Sequence, residues 1–161
     1  MKSTLYIMVG LPGSGKSTFV KNHLSHCDYV LDTDSYIEEA ARSMGKTYND
    51  VFETHIKYST KLMWQTWDDI KKEEFEENFK GPLKVVWDQT NLTVKKRKKI
   101  LDSAPSHWRK VLVWVESDTW KEDSNRPGKS IPHEILSKME KSMEEPRIRP
   151  DGFDELIISV H

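Results

Sequence analysis

Apolar residues along the chain fall into two repeating textures. Short unbroken runs alternate with stretches in which apolar positions recur every three or four residues. Leu5 to Val9 is the first unbroken run, and Gly10 ends it, as expected of a strand buried on both faces. A helix is predicted from Lys16 to about Leu24, and a second strand over Tyr29 to Thr33. Ile37, Ala40, Ala41 and Met44 then recur at helical spacing until Gly45 closes the segment. From about Asp50 to Asn78, the stripe Phe52, Ile56, Ser59, Met63, Trp67 and Ile70 predicts a long amphipathic helix. Its acidic end, Glu73 to Glu77, reads as a solvated face. The tryptophans in it read as core, although aromatic rings can also stack bases.

Gly81-Pro82 breaks the pattern before a third strand, Leu83 to Trp87. Thr93 can cap a helix running to about Ser103. Lys110 to Val115 is the clearest buried strand of the chain. A short helix from about Ser117 leads into a polar stretch, Asp123 to Lys129. Pro132 comes next, in the first turn of a helix whose stripe is Ile135, Met139 and Met143. Leu156 to Val160 makes a fifth strand. Strands alternating with helices imply an α/β fold, a parallel sheet with helices on both faces. No repeat or linker divides residues 1–161, so a single domain is expected.

Bulk properties add limits. Charged residues make up 32% of the 161 and hydrophobic ones 36%, a soluble globular mixture. No apolar run approaches the roughly 20 residues of a membrane span. The single cysteine, Cys27, reads as a buried filler suited to a reducing compartment. Together these predict a cytoplasmic protein with no membrane partner. The net charge of −1 gives no overall field for a polyanion, so any nucleic acid must meet a local basic patch. The one dense basic run is Lys95-Lys96-Arg97-Lys98-Lys99. Neighbours on a helix point in all directions, so only part of it can face one ligand, and a solvated helix face is the plainer reading.

The strongest local signal lies between the first strand and the first helix. Gly10-Leu11-Pro12-Gly13-Ser14-Gly15-Lys16-Ser17 meets every fixed position of G-x-x-x-x-G-K-[ST]. Glycines there let backbone N–H groups turn inward around phosphates, and the helix behind presents its positive end. Gly13, Ser14, Gly15, Lys16, Ser17 and Thr18 form the expected ATP-binding set. Lys16 reaches the β- and γ-phosphates, and the Ser17 hydroxyl ligates Mg²⁺.

Ligands of such a sheet sit beyond the carboxyl ends of its strands, which directs attention to the residues after each strand. Asp32 and Asp34 come after the second strand, and a carboxylate there can orient an acceptor hydroxyl or, on the plainer reading, cap the helix that follows. Asp88, Thr90 and Asn91 come after the third. Asp88 can hold a Mg²⁺-bound water or an acceptor group, while Thr90 and Asn91 suit either the acceptor or a turn. Arg126 and Lys129 lie where a lid would fall, and Arg126 can cover the transferring phosphoryl group.

With these residues assembled, the chain resembles the kinase domain of the phage polynucleotide kinase family. The shared features are residues 10–18, Asp34 with Tyr36, Thr90-Asn91-Leu92, the segment 126–132, and Met139 to Met143. The resemblance implies a three-layer P-loop kinase fold with strand order 2-3-1-4-5 and a lid. It implies ATP with Mg²⁺, and transfer to the 5′-hydroxyl of a DNA or RNA end. Asp34 becomes the general base and Arg126 the lid arginine. Two positions depart from the family. Its arginine three residues after the base is Ile37 here, and its second lid arginine is Glu122. The first departure leaves an alternative acceptor open: a nucleotide, a nucleoside or a hydroxymethylated base in DNA.

Overall fold

A computed structural model describes residues 2–161, with Pro150 described by its backbone alone. Five parallel strands form one sheet: β1 (Thr4–Val9), β2 (Tyr29–Leu31), β3 (Lys84–Trp87), β4 (Arg109–Glu116) and β5 (Glu155–Val160). Their order across the sheet is β2-β3-β1-β4-β5. The chain therefore reverses direction across the sheet beside β1, and the crevice of an open α/β sheet lies at such a point.

Side chains alternate across the sheet and supply both layers of core. Leu5, Ile7 and Val9 pack with Val85, Trp87 and Leu112 against α3 (Tyr48–Lys72) and α4 (Val94–Ser103). Met8, Val86, Val111 and Val113 face the other way, against Phe19 and Val20 of α1 (Lys16–His23). A smaller cluster of Ile37, Ala41 and Val51 joins α2 (Asp34–Met44) to the start of α3. Trp67 meets Trp87 and Trp108 edge to face, with centroids 6.1 and 5.3 Å apart, and its indole N–H donates to Ser103 Oγ at 3.0 Å. These rings are core, not base-stacking platforms.

Several boundaries differ from the sequence reading. β2 stops at Leu31, because Asp32 Oδ1 accepts the Ser35 N–H at 2.7 Å and turns the chain into α2. α3 stops at Lys72, and Glu73–Phe75 form a 3₁₀ turn. There Glu73 takes the Tyr29 hydroxyl, while Glu74 takes Ser3 Oγ at 3.0 Å and His107 Nε2 at 2.8 Å. The acidic run is thus partly an anchor for the sheet, not wholly a solvated face. Phe52 lies outside its predicted stripe, and Val51 fills the place against α2. Two four-residue helices, α5 (Trp120–Asp123) and α7 (Ile148–Asp151), flank α6 (His133–Ser142). Pro132 is the N-cap of α6, one position earlier than expected, and Leu136 rather than Ile135 is its buried residue.

The basic run divides sharply. Lys95, Lys96, Lys98 and Lys99 are exposed, but Arg97 is fully buried and pairs with buried Asp151 of α7 at 2.8 Å. Its guanidinium also donates to the Asn91 carbonyl at 3.0 Å. Removing one member of a buried pair leaves the other charge uncompensated. Asp151→Ala should therefore cost about 3–5 kcal/mol in urea denaturation. Lys95→Ala and Lys98→Ala should each stay within about 0.5 kcal/mol of the wild type.

Candidate active site

The parallel register sets the geometry of the site. Ile7 lies opposite Trp87 and Leu112, and Trp87 opposite Leu31, so β1, β2 and β3 finish side by side. Gly10, Asp32 and Asp88 then leave the sheet at one edge, with the Asp88 N–H donating to the Leu31 carbonyl at 2.8 Å.

The loop between β1 and α1 is a phosphate cradle in its details. α1 begins behind Gly15 with no side-chain cap, and the N–H groups of Gly15, Lys16, Ser17 and Thr18 have no protein acceptor among the described residues. Gly13 has a φ of 77°, and a Cβ there would stand 2.3 Å from the Trp120 carbonyl oxygen. No other residue fits at that approach. Lys16 bends back across the loop, and its ammonium donates to the Gly10 and Leu11 carbonyls, each at 2.9 Å. Burial pushes Lys16 down to about 8; Asp88 and Asp34 work against this, while Arg126 and Lys129 add to it. All four side chains thus bear on one ammonium.

Ser17 Oγ donates to Asp88 Oδ2 at 3.3 Å. A hydroxyl and a carboxylate are the oxygen donors Mg²⁺ takes when substrate phosphates and waters complete its shell, so this pair fits that ion. Burial pushes Asp88 up to about 6, against the attraction of Lys16. Asp88 therefore sits beside the cradle at Ser17, within electrostatic reach of Lys16 and of both Asp32 and Asp34.

The remaining candidates separate. Asn91 is buried, with a φ of 46°, and its side-chain amide donates to the Met8 carbonyl at 2.7 Å. The Thr90 carbonyl accepts the Gly10 N–H at 3.0 Å. Asn91 is turned inward beneath the cradle, so its acceptor reading gives way to the turn reading; Thr90 braces the same loop through its backbone. Asp32, not Asp34, caps the turn into α2. Asp34 is the first residue of α2, and its carboxylate is exposed towards other partners. Its Oδ1 accepts the Tyr48 hydroxyl at 2.7 Å, and its Oδ2 accepts the Lys129 ammonium at 3.2 Å.

Arg126 and Lys129 begin and end a tight turn, paired N–H to carbonyl in both directions at 3.1 and 3.0 Å. Pro127 and Gly128 occupy its centre, Gly128 at a φ of 72°. Glu38, Thr47 and Tyr48 face the turn across a cleft of about 290 Å³. The Arg126 side chain has no hydrogen bond or ion pair among the described residues.

Comparison with known proteins agrees with this arrangement. Residues 5–146 match the AAA_33 family, described as an AAA domain. The chain belongs to that family. A candidate kinase from Chloroflexus aurantiacus J-10-fl superposes with a TM-score of 0.67 at 13% identity, covering 99% of this chain and 89% of that one. Kti12 from Chaetomium thermophilum, in complex with ADP-AlF3, gives 0.56 at 13% identity, with coverages of 97% and 88%. A gluconokinase from Sinorhizobium meliloti 1021 gives 0.51 at 20% identity, covering 99% and 82%. At these identities the likeness shows a fold, that of the P-loop kinases. No curated protein matches the chain. Among the described residues, no helix of this AAA_33 member is long and apolar enough to cross a membrane.

Tyr48, Glu38 and Asn49 carry no motif and are not singled out by the sequence. Tyr48 and Asn49 fall just before the predicted long helix, where capping residues are expected, and Glu38 lies within α2. The Asp88 environment yields a test of the metal position. Its folded value, about 6, lies above the ordinary 3.8, so the fold favours the protonated form. Its contribution to stability falls as pH rises through that window, and above about 6 the charged form is a net cost. Asp88→Asn should therefore melt higher than the wild type at pH 7–8 and equal to it near pH 3.5. Mg²⁺-dependent binding of nucleotide should weaken in the same variant. A lower melting temperature at pH 7–8 would show that Asp88 stabilises the empty fold.

Proposed function

We propose that the protein is an ATP-dependent phosphotransferase whose acceptor is an alcohol oriented by Asp34. The observation that carries this reading is the convergence of three groups at one sheet edge: the uncapped cradle with Lys16, the Ser17–Asp88 pair, and Asp34 under the lid turn. Lys16 turns from its two carbonyls towards the β- and γ-phosphates, and Arg126 approaches them from the lid. Mg²⁺ at Ser17 and Asp88 would offset phosphate charge. Asp34 accepts the proton of the acceptor hydroxyl as its oxygen bonds to the γ-phosphorus. The bond from that phosphorus to the β,γ-bridging oxygen breaks, and ADP carries the electron pair away. Because the transition state is loose, the carboxylate acts largely by alignment.

Two acceptors are consistent with this chemistry. The 5′-hydroxyl of a polynucleotide is the one the family resemblance implies, and the exposed lysines of α4 would supply its phosphate contacts. Ile37 favours the second: a nucleoside, nucleotide or hydroxymethylated base that leaves no phosphate beside Asp34. Ile37 is wholly buried against Ala41 and Val51, so no side chain from that position reaches an acceptor phosphate.

Labelled ATP offered with 5′-hydroxyl DNA, 5′-hydroxyl RNA, nucleosides, monophosphates and hydroxymethyl-base DNA separates these readings. Lys16→Ala should lower turnover at least about a hundredfold. Asp34→Asn should bind ATP and melt like the wild type while transferring about 10²–10⁴ times more slowly. Wild-type transfer by the Asn variant would remove Asp34 from the chemistry.

A further inference from the structure

The turn that carries Arg126 towards Lys16 also makes direct contacts on the side of Asp34. Its tip is docked on the N-terminus of α3. There the Asn49 N–H donates to the Gly128 carbonyl at 3.0 Å, and the Asn49 amide donates to the Ser130 carbonyl and hydroxyl at 3.0 and 3.2 Å. The Ser130 N–H returns to Asn49 Oδ1 at 3.3 Å. A Cβ on Gly128 would stand 3.0 Å from Thr47 Cβ, so the backbone of the turn lies against the cap residue of α3. This docking delivers Lys129. Its ammonium bridges Asp34 Oδ2 at 3.2 Å and Glu38 Oε1 at 2.8 Å, and lies 4.5 Å from the centre of the Tyr48 ring. The Tyr48 hydroxyl meanwhile holds the other oxygen of Asp34.

We propose that Tyr48 and Lys129 are positioning residues for Asp34, Tyr48 permanently and Lys129 only while the lid turn is docked on Asn49. The inference rests on the reading of Asp34 as the acceptor-side carboxylate. A carboxylate at the start of a helix rotates freely unless both oxygens are held, and an alignment role requires a fixed oxygen towards the acceptor. Arg126 and Lys129 are the two ends of one turn. Docking therefore brings one cation to the donor phosphates and fixes the acceptor carboxylate in the same movement. Undocking withdraws both, which ties transfer to closure. Glu38 steadies Lys129: burial works against its ammonium, but Glu38 and Asp34 outweigh it and hold the group above its ordinary value.

Two readouts test this on the intact chain. The first is amide hydrogen exchange at Asn49 and Ser130, the two docking N–H groups, with no substrate present. Lys129→Met should exchange there at least about fivefold faster, with β1 and β4 unchanged, and Lys129→Arg should return most of the protection. The second is transfer from ATP to a 5′-hydroxyl oligothymidylate and to thymidine. Tyr48→Phe and Lys129→Met should each lower kcat about tenfold or more while the KM for ATP stays within about twofold, and Lys129→Arg should recover part of the rate. A merely structural role would lower the melting temperature without this division between kcat and KM. Wild-type exchange in Lys129→Met overturns the inference. So does a raised KM for ATP with unchanged kcat. A wild type inert towards every acceptor in the wider panel would sink the acceptor reading, and exchange would still decide whether Lys129 latches the lid.

Discussion

Lys16 brings a positive charge to the mouth of the sheet with no ion pair of its own among the described residues. Two backbone carbonyls hold its ammonium, and burial lowers its affinity for a proton to about 8. The rest of the site is arranged around that under-compensated charge. Asp88 and Asp34 pull on it from the ends of β3 and β2, and Arg126 and Lys129 push on it from the lid. A strongly anionic ligand resolves the imbalance, because it satisfies the ammonium, the open N–H groups at the start of α1 and the lid arginine together. The molecule is more polarised at this edge than its net charge of −1 suggests.

Holding such a loop requires rigid support, and the structure supplies it from below and from the side. Asn91 reaches under the cradle to the Met8 carbonyl, and Arg97 grips the Asn91 carbonyl while paired with Asp151. One buried polar chain therefore runs from α7 through α4 to the end of β1. On the other flank, α5 lies against Gly13 closely enough to exclude any side chain. α5 leads directly into the lid turn, so the phosphate loop and the root of the lid share a wall. Placement of Arg126 and shape of the cradle are then parts of one packing problem.

Much of this is legible in the sequence, for identifiable reasons. Unbroken apolar runs mark β1 and β4 because a strand covered on both faces needs no alternation. The glycine spacing before Lys16 marks the cradle because few other geometries require those residue types together. Asp34 stands out by its place just beyond a strand, and Arg126 by its place in a polar stretch between helices. Other features give no local signal. Arg97 sits in a run of lysines and looks like surface, since its partner Asp151 lies 54 residues away in a four-residue helix that pattern alone does not reveal. Asn91 looks like an acceptor ligand because loop position does not say which way an amide turns. Asp32 and Asp34 both suit a cap, and only the turn after Leu31 shows that Asp32 takes it. Tyr48 and Asn49 matter through contacts with Asp34 and Ser130, separated from them by 14 and 81 residues.

The central claim is that Lys16 is a phosphate-binding ammonium left short of negative charge until a nucleotide arrives. Calorimetric titration of ADP at pH 8, in two buffers of different ionisation enthalpy, measures this directly through the protons exchanged on binding. With Lys16 at about 8 before binding, an anion that raises its affinity for protons should draw in about half a proton per ADP bound. Lys16→Met should abolish that uptake. Binding with no proton uptake at pH 8, or with undiminished uptake in the Met variant, would contradict the account.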